Sequence, residues 1–262
     1  MVRTTLLGFL ACSLVAVLAF AQEGPVTTTV NVDVTSSYMW NGFNRVKTFG
    51  LDDGPSVQPG VSVGVRNTGL SFNVGGSFVV NDNSELQEMT YGVKFQKAVS
   101  PVVTVGAGYT YYDGRSDVVV VGTDTNNQEV WGNVVLSSNA GVKPGVAVKY
   151  EVPSVDGADA YAVVVGSVDY SLPVRKVSAS GVTMGVDVGA GVVYNSGIKQ
   201  GGVDVVNSGV SAVTLGVKVP VSTGRVVVTP AVNYQVTTED TVKQVNGEDS
   251  TFWAGVGVTF GF

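Results

Sequence analysis

The chain has 262 residues, 15 Lys+Arg against 21 Asp+Glu, a formal net charge of −6, no His and one Cys. An acidic chain with scattered cations is a poor ligand for nucleic acid, and the lack of His removes Ser–His and Asp–His catalysis together with the commonest metal ligand. Charged residues are 14%, against about 25% in an ordinary soluble domain, while Gly is 34 of 262 and Val dominates the apolar set.

Residues 1–21 read as a cleavable leader: Arg3 gives a positive start, residues 6–20 form an apolar run too short for a comfortable bilayer span, and Ala19-Phe20-Ala21 has the small-x-small pattern of a signal-peptidase site. Cleavage there leaves 22–262 as the mature part, without Cys12 and so without a disulfide framework. A retained N-terminal anchor and lipoprotein processing at Cys12 are the alternatives. The apolar run continues past Cys12, which disfavours the second. No other stretch is long and apolar enough for a transmembrane helix.

From Pro25 onward the pattern has period two. Twelve alternating segments fall at about 26–40, 56–66, 70–80, 87–98, 102–112, 128–138, 145–152, 159–172, 182–195, 209–219, 225–237 and 250–262. In the last of them Phe252, Ala254, Val256, Val258, Phe260 and Phe262 share one face, and Thr251, Trp253, Gly255, Gly257, Thr259 and Gly261 the other. Most segments exceed the ~5–6 residues of a soluble strand and match the ~9–11 that cross a bilayer at a tilt. Short connections (66–69, 98–101, 138–144, 173–181, 220–224) alternate with longer polar ones (41–55, 113–127, 196–208, 239–249); 81–85 and 153–158 are exceptions. That is the layout of an outer-membrane barrel. The expected fold is all-β: an up-and-down antiparallel transmembrane β-barrel of about 12 strands, with both termini periplasmic. A secreted β-sandwich or β-solenoid is the competing fold, but a sandwich's polar face meets water and usually carries Lys, Glu and Thr, whereas the face here is heavy in Gly, Ser and Thr, which suits a crowded barrel interior.

Aromatic residues fall into two bands. Phe72, Phe95, Tyr170, Phe260 and Phe262 are expected near the periplasmic strand ends, and Tyr38, Phe78, Tyr109, Tyr111, Tyr150, Tyr194, Tyr234 and Phe252 near the outer ends, as rings that sit at both bilayer interfaces. If the Val-rich face meets lipid, Asp33, Lys94, Lys149, Glu151, Asp169, Asp187, Lys218 and Arg225 point into the lumen, because a charge on the lipid side at mid-depth costs about 2–4 kcal/mol.

The C-terminal alternation ending on Phe260 and Phe262 resembles the signal of outer-membrane barrels read by the barrel-assembly machinery. A second stretch, residues 34–43 with Thr35, Ser36, Tyr38 and Gly42, followed by Pro55, Gln58 and Pro59, resembles the N-terminal hairpin of a bacterial outer-membrane barrel family of largely unassigned function. That family shows Thr-Ser-x-Tyr-x-x-Arg-Gly and then Pro-x-x-Gln; Asn41 stands here in the place of the Arg. The resemblance implies the outer membrane of a Gram-negative cell, with lipid and lipopolysaccharide around the barrel.

No catalytic set, cofactor or metal site is expected. Asp52-Asp53 and Glu239-Asp240 read as solvated loop acids, no 12-residue EF-hand loop is present, and the Gly-rich stretches 181–191 and 201–202 open no helix and so cradle no phosphate. The expected function is a narrow passive channel for ions or small hydrophilic solutes. A non-conducting structural or adhesive surface barrel and a specific transporter are the alternatives. Monomers and homo-oligomers are both compatible with the pattern.

Overall fold

The computed structural model describes residues 25–47, 53–80, 86–116, 126–154, 158–176 and 181–262. The expected leader lies outside the described residues, as do parts of the connections expected at 41–55, 81–85, 113–127, 153–158 and 173–181.

Among the described residues twelve long strands form one antiparallel sheet: β1 (Val26–Thr35), β2 (Ser56–Val65), β3 (Leu70–Val79), β4 (Leu86–Ser100), β5 (Val103–Ser116), β6 (Asn127–Leu136), β7 (Val142–Pro153), β8 (Tyr161–Lys176), β9 (Thr183–Asn195), β10 (Gly209–Lys218), β11 (Val226–Thr237) and β12 (Ser250–Gly261). Pro220 interrupts β10, and Val221–Thr223 resumes its place between β9 and β11. Each strand pairs with its sequence neighbours and β12 returns to β1, from Thr29 opposite Gly261 to Thr35 opposite Gly255. The sheet is therefore a closed up-and-down barrel. Closure satisfies the backbone without an open edge, which a bilayer requires. Phe262 completes the seam: its N–H donates to the Thr28 carbonyl at 2.9 Å, and its own carbonyl accepts from the Thr28 N–H at 3.3 Å.

The register sorts the side chains. Outward positions are apolar and exposed, including Val74, Val93, Val134, Val148, Val188, Leu215, Val232 and Val256. Aromatics bracket them: Phe72, Phe95, Tyr170, Phe260 and Phe262 toward the end that holds the termini, and Tyr109, Tyr150, Tyr194, Tyr234 and Phe252 toward the other. Between these bands no described outward position carries a charge; Lys97 and Asp113 stand beyond the rings of Phe95 and Tyr111. An apolar belt of this extent would be an unmanageable patch in water, and it suits hydrocarbon. The buried apolar clusters are small by comparison and lie at the end opposite the termini, called the mouth below.

Four expectations need correction. The segment 26–40 is not one strand: Ser36 makes the last rung, its N–H bonding the Ala254 carbonyl at 2.8 Å, and the chain then turns into the barrel. Tyr38 consequently does not belong to the lipid-facing band, being 8% exposed in the interior; Phe78 is also buried, at 1%. Arg225 precedes β11 and sits exposed with Gly224 in a tight turn at the termini end, so it does not line the mid-lumen. The connection 239–249 holds a helix, α1 (Asp240–Asn246). At two turns it is too short to show a helical period, and its ends are fixed locally: the Glu239 carboxylate accepts from the Val242 N–H at 2.9 Å, and Gly247 closes the C-terminus at φ 72°.

Candidate functional site: a plugged, charge-lined lumen

The resemblance-bearing segment forms the plug. Met39–Trp40 pairs with Phe43–Asn44 around an Asn41-Gly42 turn, with φ 50° and 87°. Both central residues are left-handed, as the tightest two-residue hairpin turn demands, and Asn-Gly is the pair that supplies them at least cost. Gly42 is needed for a second reason: a Cβ there would lie 3.1 Å from the Ala212 Cβ on β10. The hairpin thus reaches from β1 across the mouth to the far wall.

Its two sides meet different chemistry. Toward β4–β7 the wall carries Glu88, Glu129 and Glu151, all buried. Glu88 accepts from the Tyr38 hydroxyl at 2.6 Å and from Arg45 Nε and Nη2 at 3.2 and 2.7 Å. Glu151 accepts from Asn41 Nδ2 at 3.1 Å and Asn127 Nδ2 at 2.7 Å, and Lys149 pairs with Glu129 at 3.0 Å. The Arg45 guanidinium lies 4.6 Å over the Trp40 ring, which meets Tyr112 edge-on. Burial pushes Arg45 toward neutrality, but the Glu88 carboxylate, together with Tyr38 and Tyr161, more than offsets it, and its pKa ends above the ordinary value. Arg45 is therefore charged at any physiological pH. Burial first, and then Glu88, push the Tyr38 hydroxyl well above its usual range.

Toward β8–β11 the contacts are apolar or to the backbone. Tyr161, Val163, Val193 and Ala212 form a buried patch on the inner wall. Phe43 packs with Val206, from the Ile198–Gln200/Val203–Val206 hairpin, and with Val242 of α1. The Gly42 carbonyl accepts from Gln235 Nε2 at 2.8 Å and Asn246 Nδ2 at 3.1 Å. Asn246 also receives the Asn44 N–H on its Oδ1 at 2.9 Å. Glu88, Glu151, Asn44, Asn195 and Asn246 all have 0% exposure, so the hairpin and the wall around it are shut off from solvent at these positions.

The other half is hollow. A cavity of about 170 Å³ runs along β8–β11 between Asp169, Asp187, Lys218, Thr214 and Asn233, while Lys94 has inward parity on β4 and does not line it. Asp33 lies inward on β1 opposite Gly257 and accepts from Asn31 Nδ2 at 2.8 Å. The eight charges expected in the lumen thus divide into a mouth pair (Lys149, Glu151), three at the cavity (Asp169, Asp187, Lys218), two inward elsewhere on the wall (Asp33 on β1, Lys94 on β4) and one on the rim (Arg225). Of the loop acids, Asp53 accepts from the Ser37 hydroxyl at 2.8 Å and Glu239 caps α1. Arg45, Glu88, Gln235 and Asn246, which close the mouth with Tyr38, were not singled out from sequence. The Asn41-Gly42 pair between aromatic neighbours was the available signal for the hairpin.

No protein-family model matches the sequence, and no curated protein matches it in sequence. Solved structures match it in fold. The KdgM porin in complex with disordered oligogalacturonate superimposes with a TM-score of 0.52 at 9% identity, covering 90% of this chain and 99% of that one, and the KdgM porin alone gives the same values. LpxR from Salmonella typhimurium superimposes with a TM-score of 0.51 at 10% identity, covering 88% and 99%. At such identities the likeness is one of fold, and that fold is the outer-membrane β-barrel.

Proposed function

We propose that the chain is an integral protein of a bacterial outer membrane, with both termini periplasmic, lipid and lipopolysaccharide around its apolar belt, and insertion by the barrel-assembly machinery through its Phe260–Phe262 end. In this reading it is a non-catalytic, narrow channel for ions and small hydrophilic solutes, closed in the described state by its own first loop. One observation carries the reading: the obstruction is a hairpin bound mainly through side chains, while the lumen behind it stays hollow and lined by charges of both signs. A wall strand is fixed by a ladder of backbone bonds. This hairpin is held to the wall by the Tyr38 and Arg45 contacts to Glu88 and a few amide contacts, and to the neighbouring mouth hairpin and α1 through Phe43 and Asn246. It can leave without breaching the barrel.

The experiment is planar-bilayer recording of the purified protein beside a variant in which residues 39–44 are replaced by a short Gly-Ser link. The expected result is rare or brief openings for the parent and sustained conductance steps for the variant. If neither conducts, the channel reading fails and the second reading stands, that of a structural barrel with a permanently filled mouth. The full burial of the two wall carboxylates that hold the hairpin, Glu88 and Glu151, is the observation that favours this second reading.

A further inference from the structure

The hollow half contains an organised trough. The register sets Asp169 (β8), Gly189 (β9), Gly216 (β10) and Asn233 (β11) side by side in one row across four strands. The next row toward the termini is Ser171, Asp187, Lys218 and Ala231, and the next toward the mouth is Ser167, Gly191, Thr214 and Gln235. The two central glycines make a floor without side chains. Asp169 and Asn233 lean over that floor from opposite sides: a Cβ on Gly189 would lie 2.7 Å from Asp169 Oδ1, and one on Gly216 would lie 2.6 Å from Asn233 Oδ1.

The charges around the floor are not spent on one another. Asp187 and Lys218 face each other directly across β9 and β10, yet no ion pair joins them, and among the described residues neither these two nor Asp169 has a side-chain hydrogen bond. In the mouth half, by contrast, Lys149 and Arg45 each close on a Glu at 3.0 and 2.7 Å.

We propose that this trough binds small zwitterionic solutes of amino-acid size. The inference rests on the channel reading and names the solute class that the lumen would hold. Two carboxylates at Asp169 and Asp187 accept an ammonium group. Lys218, with the Asn233 amide in the adjoining row, accepts a carboxylate. A simple anion would meet two acids, and a simple cation would leave Lys218 unanswered, as well as Lys143, which stands across from Asp169 and donates to the Ser171 hydroxyl at 3.3 Å. A neutral polyol would use only the hydrogen-bonding half of the lining. The cavity of about 170 Å³ admits one such molecule.

The test is calorimetric titration of the detergent-folded full barrel, which needs no conductance, with 4-aminobutyrate, propylamine, butyrate and glycerol as probes. Saturable binding of 4-aminobutyrate is expected, tighter than that of the other three. Asp169→Asn should weaken it by roughly five- to tenfold, the loss of one charge-assisted contact. Lys218→Gln should weaken 4-aminobutyrate but spare propylamine, and Arg225→Gln on the rim should change nothing. Butyrate or glycerol binding as tightly as 4-aminobutyrate, an unaffected Asp169→Asn variant, or no saturable binding would each overturn the inference. A barrel that conducts but fails this titration loses only the solute assignment. One that binds but never conducts loses only the channel.

Discussion

In the proposed channel, Arg45 is the residue on which closure of the mouth depends. Its fork holds Glu88 on two nitrogens and its face covers Trp40, so the plug's hold on the wall and the packing of its own ring depend on one side chain. Arg45→Ala should leave Glu88 buried without its cation, a change that typically costs about 3–5 kcal/mol, and the hairpin, held by fewer bonds than the wall, should yield first. The measurable result is a raised open probability in bilayers with heat-modifiability of the barrel retained. Arg45→Lys should fall between, because an ammonium cannot reproduce the two-nitrogen contact. Ion preference in the proposed channel would be set elsewhere. Lys149 is committed to Glu129 and Arg225 sits on the rim, whereas Lys218 faces the hollow. In the hairpin-replaced background Lys218→Glu should shift the reversal potential toward cation selectivity, and Arg225→Glu should shift it little.

The hairpin is the element on which closure turns, and its turn geometry is its weak point. Gly42→Val would place a branched side chain at φ 87° and against Ala212. The plug should swing out. Phe43→Cys reports this directly: Phe43 is 3% exposed, so a bulky maleimide should label the single variant slowly and the Gly42→Val, Phe43→Cys double variant fast. Strands of this barrel were legible in the sequence because each outward residue is selected by the same medium. Alternation in residues 182–195, 225–237 and 250–262 predicts β9, β11 and β12 almost to the residue. The plug was not legible for the same reason. Tyr38 and Trp40 continue the period-two pattern past Ser36, so nothing local marks the point where the chain leaves the wall. The partners that draw it inward, Glu88 and Glu151, are 43 and 110 residues away from Arg45 and Asn41. Within the hollow, inward parity was readable for Asp169, Asp187 and Lys218. Their grouping around a glycine floor depends on the register between β8 and β11, which no single strand encodes.

At the scale of the whole molecule the protein is built inside out: apolar side chains point away from the axis, and the charges and amides point toward it. The seam of β12 with β1 is its last closure. Removing Phe262 deletes two seam hydrogen bonds to Thr28, so the truncated chain should assemble poorly and lose the folded, heat-modifiable band more than any single loop deletion does. Everything rests on the Val-rich face touching hydrocarbon, and the native tryptophans make that testable. Trp40 lies in the plug, and the register turns Trp131 and Trp253 inward, opposite in parity to the exposed Val130 and Phe252. Fluorescence of the protein in liposomes with brominated acyl chains is therefore the most direct measurement. The parent emission should be barely quenched, and Val148→Trp, at an outward position 50% exposed, should add a strongly quenched component. Strong quenching of the three native tryptophans, or no additional quenched component in the Val148→Trp variant, would contradict the account.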